Sequence, residues 1–474
     1  MTHFTPTKTA LQSFAAELAT GDIHDRLRAG LIGEGIEIPG PFGAKPLIYA
    51  DYVASGRALV QIEEFIARNV LPYYANSHTE ASFVGQAMTR MREEARGVIG
   101  TLCGADEQHA VVFTGSGATA GLNRLVTLLG AGPGGVVLIG PYEHHSNILP
   151  WRESGAEVVE IPEAETGGPD LDALQAELTR HQGRHIIGSF SAASNVTGIT
   201  SDVAGITRLL KQNGALAVWD YAGGGPYMQI DMGEIDAIVT SPHKFIGGPG
   251  ASGVMILRKD AVQTQKPSLP GGGTVSFVSP WAHDYSQNLA TREEAGTPNV
   301  IGDIRAALAF LVKEAIGQSY ITKRLAELRA RALEAWRDLP GLRIMGNAQA
   351  QALPIFSFQL RDGDGRFVHQ QLVTRMLSDL HGVQARGGCA CAGPYAHRLL
   401  GIAQEQSEAL RSDILSGNEI EKPGWTRLGF SPLMTDAKAD LIIEAVRDVA
   451  QSACAQRVHY RVDTRTARFS PEAA

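Results

Sequence analysis

DAIVTSPHKFIGGPGASG (236–253) sets a lysine, Lys244, just after a short apolar run and just before a cluster of glycines. The apolar run reads as a buried strand and SGVMILR (252–258) as a second, so Lys244 stands at a strand end. Open α/β sheets gather their ligands at such ends. A lysine that must shed its proton to attack a carbonyl suits this place. Ser241 and His243 before it can donate to a phosphate. The plainer reading, a solvated lysine in a surface loop, leaves the flanking SPH and FIGGPG without a purpose.

Upstream, ALAVWD (215–220) reads as another strand, ending on Asp220 in WDYAGG. A carboxylate closing a buried apolar strand is costly unless a cation or several donors meet it. A turn or helix-capping Asp is the alternative. Further strands are read at AVVFTG (110–115), GVVLIG (135–140), EVVEIP (157–162) and HIIGSFSAAS (185–194). Helical periodicity covers 60–103, the segment opened by GATAGLNRLVTLLG, DLDALQAELTRHQ (170–182) and VAGITRLLKQNG (203–214). Strands alternating with helices predict an α/β domain whose mostly parallel sheet is covered on both faces.

From about residue 311 the texture changes. A charged helix (about 314–337), the strands LRIMG (342–346) and PIFSFQL (354–360), and helices near 366–381 and 436–452 suit a smaller α+β domain. The expected partition is 46–310 for the large domain, with 1–45 and 311–474 forming the small one. The tail beyond about 463 reads as loosely held.

Three more stretches carry chemistry. TGSGATAG (114–121) is a Gly-rich turn between strand and helix, and Gly117, Ala118 and Thr119 there offer backbone N–H groups to a phosphate. It lacks the spacing and lysine of a P-loop, so alone it is equally a tight turn. YEHHSNILPW (142–151) holds two adjacent histidines. Neighbours on extended backbone point to opposite sides, which favours one histidine facing a ligand and one structural over a metal pair. In RGGCAC (386–391) Cys389 and Cys391 lie two apart, so an extended loop would turn both thiols to one side. No second Cys/His pair of zinc-like spacing follows, and no metal site is read.

Composition narrows the classes. The chain has 474 residues, 44% of them hydrophobic, a formal net charge of −8 and a pI near 6.0. No Lys/Arg-rich run stands out, so neither nucleic acid nor membrane is expected as a partner. The opening MTHFTPTKTALQSFAAELATGD lacks a basic region followed by a sustained apolar run, so no signal peptide is expected. Four cysteines make no disulfide framework, and a reducing cytoplasm is the expected compartment.

In their order along the chain, these motifs resemble class V aminotransferase-fold proteins, of the cysteine desulfurase and selenocysteine lyase type, from about Tyr49 to Val449. YADYVASG (49–56), NSHTEASF (76–83), FTGSGATA, EHHSNILPW, SNVTG (194–198), SPHK, AGTPN (295–299), RGGCAC and TRLGFS (426–431) carry the likeness. The resemblance implies the fold type I architecture and pyridoxal 5′-phosphate (PLP) as cofactor, bound covalently by Lys244. It also implies that His144 stacks on the pyridine ring, Asn195 lies near the phenolic oxygen and Asp220 pairs with the ring nitrogen. Gly117, Ala118, Thr119, Ser241 and His243 would cradle the phosphate. Thr297 would reach the phosphate of a neighbouring subunit, which implies a homodimer. Arg427, with Arg386, would hold the substrate carboxylate. Cys391 would accept sulfur from L-cysteine, leaving L-alanine and an enzyme persulfide for an acceptor protein or thiol.

Three features depart from that pattern. Gly223 stands where the family carries a glutamine, Cys389 is an added cysteine, and about two dozen additional residues separate Cys391 from Arg427. CACAGPYAHRLLGI is similar to the related molybdenum-cofactor sulfurases. A class V enzyme of another outcome (aminotransferase, lyase or epimerase on a small amino acid) is the rival reading. A non-catalytic sulfur-relay protein is the distant one.

Overall fold

A computed structural model describes residues 8–76 and 80–472. Ser77, His78 and Thr79 of the NSHTEASF stretch lie outside the described residues.

Seven strands form the main sheet: β1 (His109–Gly115), β2 (Val136–Ile139), β3 (Glu157–Glu160), β4 (Ile186–Ser191), β5 (Leu216–Asp220), β6 (Ala237–Thr240) and β7 (Gly253–Arg258). Their spatial order is β1-β7-β6-β5-β4-β2-β3. All neighbours pair parallel except β7, which runs antiparallel between β1 and β6. Alternate residues serve opposite faces. Val136, Leu138, Trp219 and Ile238 join a core under helices Phe83–Leu102 and Val300–Ile316. Val137, Ile139, Val218 and Val239 join another with helix Gly117–Leu128 and Trp151. Burial on both faces explains why these strands read as unbroken apolar runs.

The smaller sheet holds β8 (Leu342–Ile344), β9 (Ile355–Arg361), β10 (Phe367–Val368), β11 (Arg386–Gly388) and β12 (Trp425–Gly429), in the order β8-β9-β12-β11 with β10 beside β9. Helices Gln318–Trp336, Gln370–His381 and Asp436–Gln456 complete its core.

The structure corrects several element expectations. The helix read over 60–103 is broken: Val60–Phe65 passes through a π turn (Ile66–Val70) into a short 3₁₀ turn at Pro72, and Phe83–Leu102 starts anew. Pro72 has no N–H for the helical ladder, and the Ser82 side chain caps the new start by accepting from the Gly85 N–H. The charged helix begins at Gln318, because Gly317 at φ +85° separates it from Val300–Ile316. The tail is not loose: Tyr460–Asp463 and Arg468–Pro471 form an antiparallel hairpin, with the Tyr460 hydroxyl donating to Asp379. Segment 1–45 divides. Leu11, Phe14, Leu18 and Leu27 enter the core beneath Phe83–Leu102 and Val300–Ile316, whereas Lys45–Pro46 packs on helix Gln370–His381. Among the described residues no helix is long and apolar enough to cross a membrane.

Candidate active site

The carboxyl ends of β4, β5 and β6 meet the N-terminus of helix Gly117–Leu128 and the edge of the smaller sheet around a cavity of about 280 Å³. Gly117, Ala118, Thr119, His144, Asn195, Asp220, Ser241, His243, Lys244, Arg386, Cys391 and Arg427 all line it. Thr297 does not: it is exposed, in the turn ahead of helix Val300–Ile316.

At one end, the Ser241 hydroxyl accepts from the Ala118 N–H (3.0 Å), tying β6 to the helix start. A Cβ on Gly117 would lie 2.9 Å from Ser241 Oγ and 3.1 Å from His243 Cε1, so glycine alone leaves this cradle open. Thr119 and Ser146 share a hydroxyl contact of 2.7 Å, and the Ser146 N–H donates to His144 Nδ1 (3.1 Å). Burial first, then the positive field of Lys244, lowers the His144 pKa to about 4, so the ring is neutral.

The middle belongs to Asp220, 4% exposed, whose hydrogen-bond donor among the described residues is the Ala222 N–H (2.7 Å). Burial raises its pKa, opposed by Ala222 and Lys244. Lys244 sits on a 3₁₀ turn (Pro242–Lys244), and its pKa falls to about 8. Burial dominates; Arg427 and Arg386 add to it, while Asp220 and Asp51 oppose.

At the far end, Arg386 and Arg427 are directly opposed partners on β11 and β12. Like charges in that register repel. Asp51 resolves the conflict: its two oxygens accept from Arg386 Nε (3.0 Å) and from Arg427 (3.2 Å). Arg427 also donates to the Asn195 carbonyl (3.0 Å), and its buried Nε has no partner among the described residues. Sequence reasoning missed Asp51, though it stands in the quoted YADYVASG. Its partners lie more than 300 positions downstream, and only the fold brings them together.

The cysteine loop corrects one expectation. Ala390 and Cys391 are not extended but left-handed (φ 55° and 56°), a conformation that costs each of them about 1–3 kcal/mol. The two thiols therefore separate. Cys391 is exposed at the cavity wall, whereas Cys389 is partly buried against the apolar cluster around Tyr142 and Tyr395. Asn195 Nδ2 donates to the Ala390 carbonyl (2.8 Å), and its buried Oδ1 has no partner among the described residues.

This donor set suits a phosphorylated aromatic cofactor. Among the described lining residues Asp220 is the only carboxylate, so the phosphate end faces hydroxyls, an imidazole and backbone N–H groups alone. The buried Asp220 carboxylate, with one donor among the described residues, suits a cationic nitrogen, and its charge and that of Lys244 act on each other's titration. Fold and cavity together define an α/β enzyme with a buried lysine, an anion cradle and a guanidinium pair. The family model described as aminotransferase class-V matches residues 48–435, and the chain belongs to that family. It is a PLP-dependent enzyme of fold type I. A probable cysteine desulfurase from Halalkalibacterium halodurans is 28% identical over 358 residues, 74% of this chain and 85% of the relative. One from Staphylococcus epidermidis is 29% identical over 368 residues, 76% and 86% of the two chains. Among solved structures, an Escherichia coli cysteine desulfurase in an S-sulfonic acid form superposes with a TM-score of 0.71 at 25% identity, covering 91% of this chain and 99% of that one. The apo cysteine desulfurase of Thermococcus onnurineus gives 0.74 at 23% identity, with the same coverage, and shows the shared fold.

Proposed function

We propose that this enzyme takes the sulfur of L-cysteine onto Cys391 and releases L-alanine. The observation that carries the reading is that Cys391 lines the same 280 Å³ cavity as Lys244 and Arg427. Ala118, Thr119, Ser241 and His243 would hold the phosphate of the cofactor, with Asp220 serving its ring nitrogen and His144 its ring. Bound there, PLP supplies an electron sink for charge developing at the substrate α-carbon. Arg427, aided by Arg386, grips the substrate carboxylate, a task for which a guanidinium fork is better shaped than an ammonium. Lys244 carries the α-proton. The Cys391 thiolate attacks the substrate sulfur, the Cβ–S bond breaks with its electron pair passing to the substrate, and that fragment gains protons to become alanine. The persulfide sulfur then passes to an acceptor thiol, small or on a protein.

The test is incubation with L-cysteine and reductant, assaying alanine, sulfide and pyruvate together. Alanine and sulfide in equal amounts is the expected result. Pyruvate in place of alanine would assign a β-elimination, and cysteine consumed without sulfur release would assign an aminotransferase or epimerase.

Thr297 supports a homodimer with shared sites, since it is exposed and absent from its own cavity. A symmetric pair would offer it to the partner's phosphate end. Inactive Lys244→Ala chains mixed with Thr297→Val chains should then regain activity, because one site of each mixed dimer keeps both groups. A mixture no more active than the sum of its parts refutes the shared site.

A further inference from the structure

The second histidine of EHHSN lines no part of the cavity, yet two of its hydrogen bonds bracket the cysteine loop. The His145 N–H donates to the Cys391 carbonyl at 2.8 Å, and the Gly393 N–H donates to His145 Nε2 at 2.9 Å. We infer that His145 is a positioning residue that clamps Cys391 at its own carbonyl and again two residues on, at Gly393.

Local structure explains the need. Gly393 opens helix Gly393–Leu400, whose N-cap is Ala392, a residue with no side chain to accept from the first N–H groups. Pro394 has no N–H. The Gly393 N–H is thus an orphan donor, and His145 Nε2 caps it from another part of the chain. Glycine suits this approach, since a Cβ on residue 393 would lie 3.0 Å from Nε2. Beyond it, Ala392 and Tyr395 are buried, with the Tyr395 ring 5.0 Å from that of Tyr142. Before it, Asn195 holds the Ala390 carbonyl. Cys391 is therefore an exposed residue between two anchored ones, in a left-handed conformation that relaxes once the anchors let go. Burial first, then Arg152, lowers the pKa of the imidazole, which favours the neutral form whose lone pair accepts.

The catalytic importance of the clamp rests on Cys391 accepting sulfur; its structural effect does not. The experiment therefore compares His145→Leu, which removes the acceptor, with His145→Gln, whose carbonyl replaces it. Hydrogen exchange is followed in the peptide spanning 386–400, and kcat and KM are measured for L-cysteine alongside cofactor absorbance. With His145→Leu, exchange around Ala392 and Gly393 rises about tenfold and kcat falls about tenfold, while KM and cofactor absorbance hold. His145→Gln returns both quantities to within about threefold of the parent. Unchanged exchange in His145→Leu, or a His145→Gln variant as impaired as His145→Leu, overturns the clamp. Should Cys391 prove not to accept sulfur, the exchange signature still appears while desulfuration is absent in the parent enzyme, so the two failures are separable.

Discussion

Lys244→Ala will lose turnover by about 10⁴-fold or more, the upper end of what a positioned proton carrier supplies. It will also lose the cofactor adduct that borohydride fixes on residue 244 of the parent enzyme. Lys244 comes from the end of β6, is flanked by Ser241 and His243 at the anion cradle, and faces Asp220. An ordinary lysine, with a pKa near 10.4, is neutral in about one molecule in 2,500 at pH 7; a pKa of about 8 raises that to about one in ten. The shift favours the uncharged base, so the fraction able to accept a proton climbs with pH and levels off above about 8. The rate of the proton-transfer step should follow the same rise. Peptide mapping after borohydride reduction is the decisive measurement. A Lys244→Ala protein that still yields a reduced lysine adduct would place the covalent bond elsewhere.

Cys391→Ser will abolish alanine formation from L-cysteine, by about 10³-fold or more, while the cofactor absorbance and its response to cysteine persist. The reasoning is chemical: a hydroxyl has neither the acidity nor the polarisable lone pairs to take a sulfur atom. Ser fills the same space at an exposed position, so the fold is undisturbed. Cys389→Ser should have a smaller effect, because that thiol packs into the apolar cluster instead of facing the cavity. Excess reductant is needed in both assays, so that an accidental disulfide does not imitate inactivity. Wild-type alanine production by Cys391→Ser would remove the desulfurase reading and leave a PLP enzyme of another outcome.

Much of the site was legible because strand ends announce themselves. An apolar run that stops on Asp220, or on Ser-Pro-His-Lys, marks both an element boundary and a chemical group in one stretch. The cavity gathers these groups because β4, β5 and β6 are parallel and neighbouring. What the sequence concealed is pairing between distant segments. Nothing local in RGG or TRLG shows that Arg386 and Arg427 will stand opposite each other, nor that Asp51 will join them. The His145 contacts are hidden in the same way. The left-handed backbone at Ala390 and Cys391 is hidden as well, since neither residue type announces a positive φ. Helix boundaries at Pro72 and Gly317 escape the pattern because apolar spacing carries on across the breaks.

Gly223 ties the space beside the cavity to the backbone of a neighbouring turn. A Cβ at that position would lie 3.0 Å from the Ala193 carbonyl, tighter than ordinary van der Waals contact. Its neighbours are more crowded still, at 2.8 Å from Met228 Sδ for Gly224 and 2.7 Å from Thr240 Oγ1 for Gly225. Here the 192–195 turn has settled onto the bare backbone of the glycine run, and its Asn195 reaches away to the cysteine loop. A side chain at residue 223 therefore requires the Ala193 carbonyl to give by a few tenths of an ångström. That movement would pass into the same turn from which Asn195 reaches the Ala390 carbonyl, so bulk at residue 223 is felt at the cysteine loop.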